Sequence, residues 1–502
     1  MIKKFKTQSY IWAAAGVFIP VFSAAALPDQ PNFIWIMAED MSLDLECYGM
    51  KGVKTPHLNR LAEEGAKFMR AYCSNPICSP SRSAMMTGAH QTVINAQHHR
   101  SNRDVPLEAP YKPFTYWLRR TGYTCILGSD LVKGNGRKTD CNFKHTAVGP
   151  YDGIEQFGLF DKFDRFSAED QPFFNQIQCI VTHRGDWWNE VRENSAHPVS
   201  LDDIKLPTWF ADTPEIRYDW AAYLDTVEYM DNEVGQILKR LEDEGLAENT
   251  YVIFIADNGR CHLRGKGYLQ DTGIHVPMIV RGPGIPKGTV IDELVCMTDI
   301  TATILKLARA EMPDWLDGKP VFGVSNPQYR EYIRSARDIW DEINDCSRSI
   351  TTRKFTYIAN RMPEVPWDAH QAYLDLNRPA IHVMRRLKNA GKLSPAELIF
   401  LAEQKPPEEL YDLETDPDQM TNLACNPGYA DVLRQMRQLE KDWQSKYSDR
   451  GLQDIDCRQP DQNLKANLAR SVVKKLHPEL WNRLESGELM ETDSWKQFIP
   501  EN

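Results

Sequence analysis

Four stretches of the chain are apolar almost throughout: NFIWIMA (32–38), YTCILGS (123–129), FNQIQCIVT (174–182) and YVIFIAD (251–257). Runs without in–out alternation suit strands covered on both faces. Between them the spacing turns helical. The clearest case is 218–244, where Trp220, Leu224, Val227, Met230, Val234, Ile237, Leu238 and Leu241 mark one face and Gly245 closes the helix. Such alternation predicts an α/β fold, a large, mostly parallel mixed sheet sandwiched by helices. From about residue 345 the pattern changes to SITTRKFTYIAN, a charged helical stretch at 383–404, and ELYDLETDPDQMTNLA. That change predicts a smaller α+β C-terminal subdomain, with the last fifty residues mainly helical. The expected division is 1–26, 27–345 and 346–502.

Ligands of open α/β sheets gather at the carboxyl ends of strands. Glu39-Asp40 follow the first run, His183 the third and Asp257-Asn258 the fourth. Taken alone, each acidic pair reads best as a helix cap. Two such pairs at strand ends read better as hard oxygen donors for one calcium or magnesium ion.

Composition adds exclusions. The 502 residues carry 59 basic and 70 acidic side chains, a net charge of −11, which argues against nucleic acid as a partner. Lys3, Lys4 and Lys6, the apolar stretch 10–22 and Ala24-Ala25-Ala26 form the three parts of a signal peptide, so the protein is expected in the periplasm or outside the cell. No cysteine lies at the cleavage site to carry a lipid, and no stable membrane anchor is expected. Eleven cysteines are scattered without a disulfide framework or a zinc spacing.

Cys78 stands just before Pro80-Ser81, a good helix start, where free N–H groups favour anionic chemistry. From position alone a buried or disulfide cysteine would be the default. Its surroundings decide otherwise. ICSPSRSAMMTG resembles the signature of the type I sulfatases, in the alkaline phosphatase-like superfamily. PNFIWIMAEDMSLDLECYG, IFIADNG, RGKGYLQDTGIHVPMIVRGPG and ELYDLETDPDQMTNLA extend the likeness over nearly the whole mature chain.

The resemblance implies that a maturation enzyme oxidises Cys78 to formylglycine (3-oxoalanine). One hydroxyl of its hydrate would attack sulfur, and the other would let the sulfated residue collapse and release sulfate. It further implies a metal, calcium by family or magnesium by ligand type, held by Glu39, Asp40, Asp257, Asn258 and residue 78 itself. Arg82 would steady the hydrate. Lys266 and His183 would hold sulfate oxygens, with His183 the best candidate to protonate the leaving group. The expected substrate is a sulfated saccharide, O- or N-sulfated.

Three departures qualify these implications. Glu39 stands where most of the family has aspartate. The usual Gly-Lys-x-His is missing: Lys138 aligns with the lysine, with Lys133 the competitor, and Asp140 falls where histidine is common. His262 is the candidate to replace that histidine. Finally, RSARDIWDEINDCSRSITTRKFTYI resembles bacterial carbohydrate sulfatases related to heparan N-sulfatase, which makes Arg337, Asp338 and Glu342 candidate substrate contacts against the alternative of a salt-bridged helix face. Two other functions compete: a phosphomonoester or phosphonate-ester hydrolase on the same fold, and a non-catalytic glycan-binding protein on a degenerate scaffold.

Overall fold

The computed structural model describes residues 30–129, 132–151, 158–185, 187–341, 343–369, 371–453 and the isolated positions 478, 479 and 482. The expected signal peptide and nearly all of the expected helical tail lie outside these residues.

The first strands are β1 (Asn32–Ala38), β2 (Ala66–Tyr72), β3 (Thr124–Gly128), β4 (Thr146–Val148), β5 (Gly158–Phe160), β6 (Lys162–Asp164) and β7 (Phe173–Cys179). They are followed by β8 (Thr250–Ala256), β9 (Met278–Arg281), β10 (Thr289–Cys296), β11 (Ile333–Arg337), β12 (Ser347–Thr351), β13 (Phe355–Asn360) and β14 (Glu408–Asp412). Eight of them form one sheet in the order β10-β2-β9-β8-β1-β7-β3-β6. β1 lies between β7 and β8, parallel to both, while β9 runs antiparallel between β8 and β2. Every residue of β1, β7 and β8 is buried; β1 and β8 are apolar nearly throughout, while β7 also buries Asn175, Gln176 and Gln178.

Helices cover the sheet. The helix expected at 218–244 runs from Pro214 to Asp243, with the Thr213 side chain accepting from the Ile216 amide and Pro214 in the first turn. Gly245 follows in the left-handed region at φ 70°. The Cys78–Thr87 helix is buried at all ten positions. Its serines and threonine explain how it tolerates that: Ser83 and Thr87 bond back to the Ser79 and Ser83 carbonyls, and Ser81 Oγ donates to Asp257 O at 2.6 Å.

A second, antiparallel sheet has the order β11-β12-β13-β14, and the Ala430–Lys446 helix packs on it through Leu433, Met436 and Trp443. Its first strand begins at Ile333. The charged stretch 383–404 is not one helix. Pro379–Asn389 ends before Gly391 at φ 65°, and a new turn starts at Pro395 behind the Ser394 cap. Strands β2 and β10 mix polar and charged residues with apolar ones and β9 is four residues long, and none of the three was among the expected elements.

Candidate active site

The parallel strands β1 and β8 end side by side, and their next residues meet. The Asp257 carboxylate accepts from the Asp40 amide at 3.1 Å and from the Asn258 amide at 2.9 Å. Asn258 Nδ2 donates to Asp40 Oδ1 at 3.0 Å. Asp40 sits at φ 49°, a left-handed conformation that aspartate tolerates better than most residues. Glu39, Asp40, Asp257 and Asn258 are all buried.

Cations balance these carboxylates. Arg82 Nε reaches Asp257 Oδ2 at 2.9 Å, and its NH2 lies 3.8 Å from Glu39 Oε1. Lys138 Nζ donates to Glu39 Oε2 at 2.5 Å. Lys266 Nζ bridges both Asp40 oxygens at 2.8 and 2.9 Å and lies 3.4 Å from His183 Nε2. His183 Nε2 is 3.7 Å from Asp40 Oδ2. Burial raises the Glu39 carboxyl despite Lys138 and Arg82. Asp40, against the same burial, is held well below the usual carboxylate range by Lys266 and His183. Burial, with Lys266 and Lys138 adding to it, depresses His183 to about 3. Lys138 is pushed up to about 12: its own burial opposes this, and Glu39 outweighs it.

Two buried oxygens at the centre of this cluster, Glu39 Oε1 and Asn258 Oδ1, have no hydrogen-bond partner. Together with the Asp40 and Asp257 carboxylates they form an all-oxygen donor set suited to a hard divalent cation. Among the described residues no three His, Cys, Asp or Glu side chains already close on one point as a metal cage. Lys266 and Arg82 hold part of the donor set, and Lys266 would yield Asp40 to an entering ion.

Cys78 is the first residue of its helix and is buried. Arg82, Lys138 and Lys266 all lie within electrostatic reach of it. The Lys266 segment is tied to the loop before the helix, since Gly267 N donates to Pro76 O at 2.8 Å. Gly267 itself, at φ 93°, lies so close to Trp340 that a Cβ would fall 1.9 Å from the indole ring.

The structure brings one histidine to Cys78, and it is not His262. His99 Nε2 lies 3.6 Å from Cys78 Sγ, and its Nδ1 is 2.7 Å from Asp341 Oδ1. The Asp341 carboxylate also accepts from Gln371 Nε2 at 2.9 Å. His99 is anchored by its amide to Ile339 O, and Arg100 N donates to Ser79 Oγ in the first turn of the helix. Burial disfavours charge on His99, but Asp341 outweighs it and raises the imidazole to about 9. His262 instead packs among Trp188, Phe210, Trp220 and Tyr223, with Nε2 3.6 Å from Asp219. Its aromatic box, not the reaction centre, accounts for its burial.

Other expectations are revised in the same way. Of the two candidate lysines, Lys138 reaches the carboxylate cluster, through Glu39. Lys133 points to Glu190, 3.5 Å away. Arg337 is buried against Asp345 at 3.0 Å, and Asp338 against Arg348 at 3.2 Å. Both are internal ion pairs joining β11 and β12 to their surroundings, so neither is free to touch substrate. Glu342 lies outside the described residues. That segment reaches the site through its neighbour Asp341. His99 and Asp341 were missed in the sequence; the only signal was a His-His pair shortly after the signature helix.

Residues 31–310 match the Sulfatase family model. An ulvan-active sulfatase from Formosa agariphila is 29% identical over 467 residues, spanning 84% of this chain and 76% of that protein. The N-sulphoglucosamine sulphohydrolase of Homo sapiens is 26% identical over 468 residues, spanning 82% and 89%. The crystal structure of a 2-O GAG sulfatase superposes with a TM-score of 0.58 at 19% identity, covering 87% of this chain and 96% of that one. At that identity the superposition speaks for the fold.

Proposed function

Because this chain belongs to the sulfatase family and is a sulfuric ester hydrolase, we propose that it removes sulfate from a carbohydrate through residue 78, matured to formylglycine, beside a divalent cation held by Glu39, Asp40, Asp257 and Asn258. The observation that carries this reading is the meeting of two strand ends and one helix start: the oxygen donors that follow β1 and β8 are tied to the Cys78 helix through Ser81 and Arg82 and are ringed by Arg82, Lys138, Lys266 and His183. The names of the relatives at Formosa agariphila and human sources support a sulfated saccharide as substrate, and calcium is the cation we favour.

When bound, the cation and the matured side chain supply an acidified hydroxyl as nucleophile and a Lewis acid for the sulfate oxygen. The rest is done by the chain's own groups. Lys138 and Lys266 place ammonium charge where negative charge develops, in a buried setting that needs no rearrangement of water. Arg82 fixes Asp257 through two nitrogens and keeps the carboxylates apart. His183, about a fifth exposed, is the group at the site able to meet a leaving oxygen or nitrogen. His99 holds a proton at the atom that takes the place of Cys78 Sγ, and Asp341 favours its protonated form and fixes its ring plane.

Maturation, an exported location and a leader in residues 1–26 belong to this proposal. No helix among the described residues is long and apolar enough to cross a membrane. The test is a comparison of protein produced with and without a formylglycine-generating enzyme, assayed on aryl sulfate, aryl phosphate and defined sulfated saccharides. Sulfate release only by the matured form supports the reading. Preferred turnover of the phosphate refutes it.

A further inference from the structure

Beside the reaction centre lies a cavity of about 310 Å³ lined by Arg100, Arg103, Lys138, Thr139, Asp140 and His145. This is near the lower end of the ~300–1,000 Å³ seen for small-molecule sites. Lys138 belongs to both places: its ammonium bonds Glu39 among the cation donors, and its stem lines this cavity. The cavity therefore opens next to the reacting group.

Its charge is unbalanced. Arg103 is paired with Asp140, whose other neighbours are Arg100 at 3.7 Å and Lys138 at 3.7 Å. Lys138 also serves Glu39. Arg100, Arg103 and Lys138 thus outnumber the Asp140 and Glu39 carboxylates, and Glu39 also faces Arg82 at 3.8 Å, so positive charge is in excess along this wall. Both arginines line the cavity and their side chains are 46% exposed, so their guanidinium groups remain open to solvent and to a ligand. Burial lowers the His145 imidazole below its ordinary value although the Phe143 carbonyl opposes this, and Thr139 Oγ1 and that carbonyl engage its two nitrogens at 2.9 and 2.8 Å. Thr139 and Asp140 fix the wall, and the two guanidinium groups are what a ligand meets.

Resting on the sulfatase reading, we infer that this cavity is a subsite for a second anionic substituent of the saccharide, a carboxylate or a further sulfate on the sugar being desulfated or its neighbour, gripped by Arg100 and Arg103. Planar guanidinium forks match both oxyanions, and Arg103 is not needed to build the reaction centre itself. Asp140, standing where a histidine is usual, acquires a purpose: it holds the two forks in place. Arg100 also lies within electrostatic reach of Cys78, Asp341 and Tyr373, and its amide is bonded to Ser79 Oγ in the first turn of the Cys78 helix.

The test uses matured wild type, R103A and R103K with three disaccharides: one bearing a single sulfate and a uronate, its carboxyl-reduced counterpart, and a disulfated one. Wild type should favour the doubly charged substrates at least tenfold in kcat/KM, mainly through KM. That ratio should collapse toward one in R103A and be partly kept in R103K. A larger preference for the uronate assigns the subsite to carboxylate, and the opposite order assigns it to sulfate. A ratio unchanged by R103A overturns the inference. If wild type desulfates none of the three, the saccharide reading fails, and the cavity is judged by calorimetric titration with D-glucuronate alone. Weaker binding to R103A than to wild type then keeps the subsite, and equal binding removes it.

Discussion

Asp341→Asn isolates the contribution of charge at the histidine beside residue 78. Asp341 is buried and occupies φ 51°, which asparagine accepts readily, so the backbone need not move. The new amide can keep its oxygen on His99 Nδ1, now 2.7 Å from Asp341 Oδ1. Its NH2 group would then face Gln371 Nε2, a donor, at 2.9 Å. Gln371 can turn its amide over, since its Oε1 is buried without a partner, giving up only the long 3.4 Å bond from Nε2 to Trp340 O. What is lost is the carboxylate charge. A charge-assisted bond of this kind contributes about 1.5–3 kcal/mol. Each ~1.4 kcal/mol is tenfold in rate, so kcat on an aryl sulfate should fall about 10- to 100-fold. The assay pairs kcat with the formylglycine content of residue 78 by peptide mass spectrometry and with a melting curve, so that failed maturation or misfolding is seen directly. If D341N, equally matured and equally stable, turns over within twofold of wild type, the role given to His99 and Asp341 is refuted.

Three further outcomes are expected. Gly267→Ala combines a left-handed backbone with a Cβ driven into Trp340, and should cost about 2–4 kcal/mol of stability and at least tenfold in turnover by shifting Lys266; unchanged melting and turnover would contradict this. Glu233 is raised by burial from 4.5 to about 7, so its favourable contribution is complete below pH 4.5 and is lost as pH climbs through 7. Glu233→Gln should therefore melt higher than wild type at pH 8, by up to about 3 kcal/mol, and show little advantage at pH 4.5; an advantage independent of pH would count against that sign. Chelation should abolish turnover and lower the melting temperature, with calcium restoring both, since a ligand at a hundred times its Kd stabilises by about 2.7 kcal/mol; full activity in protein shown by elemental analysis to be metal-free would exclude the cation.

The sheet centre was legible because β1, β7 and β8 are buried on both faces, which favours apolar residues without in–out alternation, although β7 admits Asn175, Gln176 and Gln178. β9 is only four residues long and β2 is partly buried, so neither stands out from the loops around it. The strand-end residues Glu39, Asp40, Asp257 and Asn258 could be read for the same geometric reason, and the structure brings them together. His99 and Asp341 could not: they are 242 positions apart, and neither ends a strand. Arg337 and Asp338 attract attention through the resemblance of their segment to carbohydrate sulfatases, yet their partners Asp345 and Arg348 make them interior ties. A charged pair read from sequence does not say whether its partner is a substrate or another strand.

The most direct test is the mass of the peptide spanning Ile77–Thr87 in protein made with a maturation enzyme, measured alongside sulfate release. The account predicts that residue 78 carries the aldehyde and that activity rises in proportion to it. Protein that hydrolyses sulfate esters at full rate while residue 78 remains an unmodified thiol would contradict it.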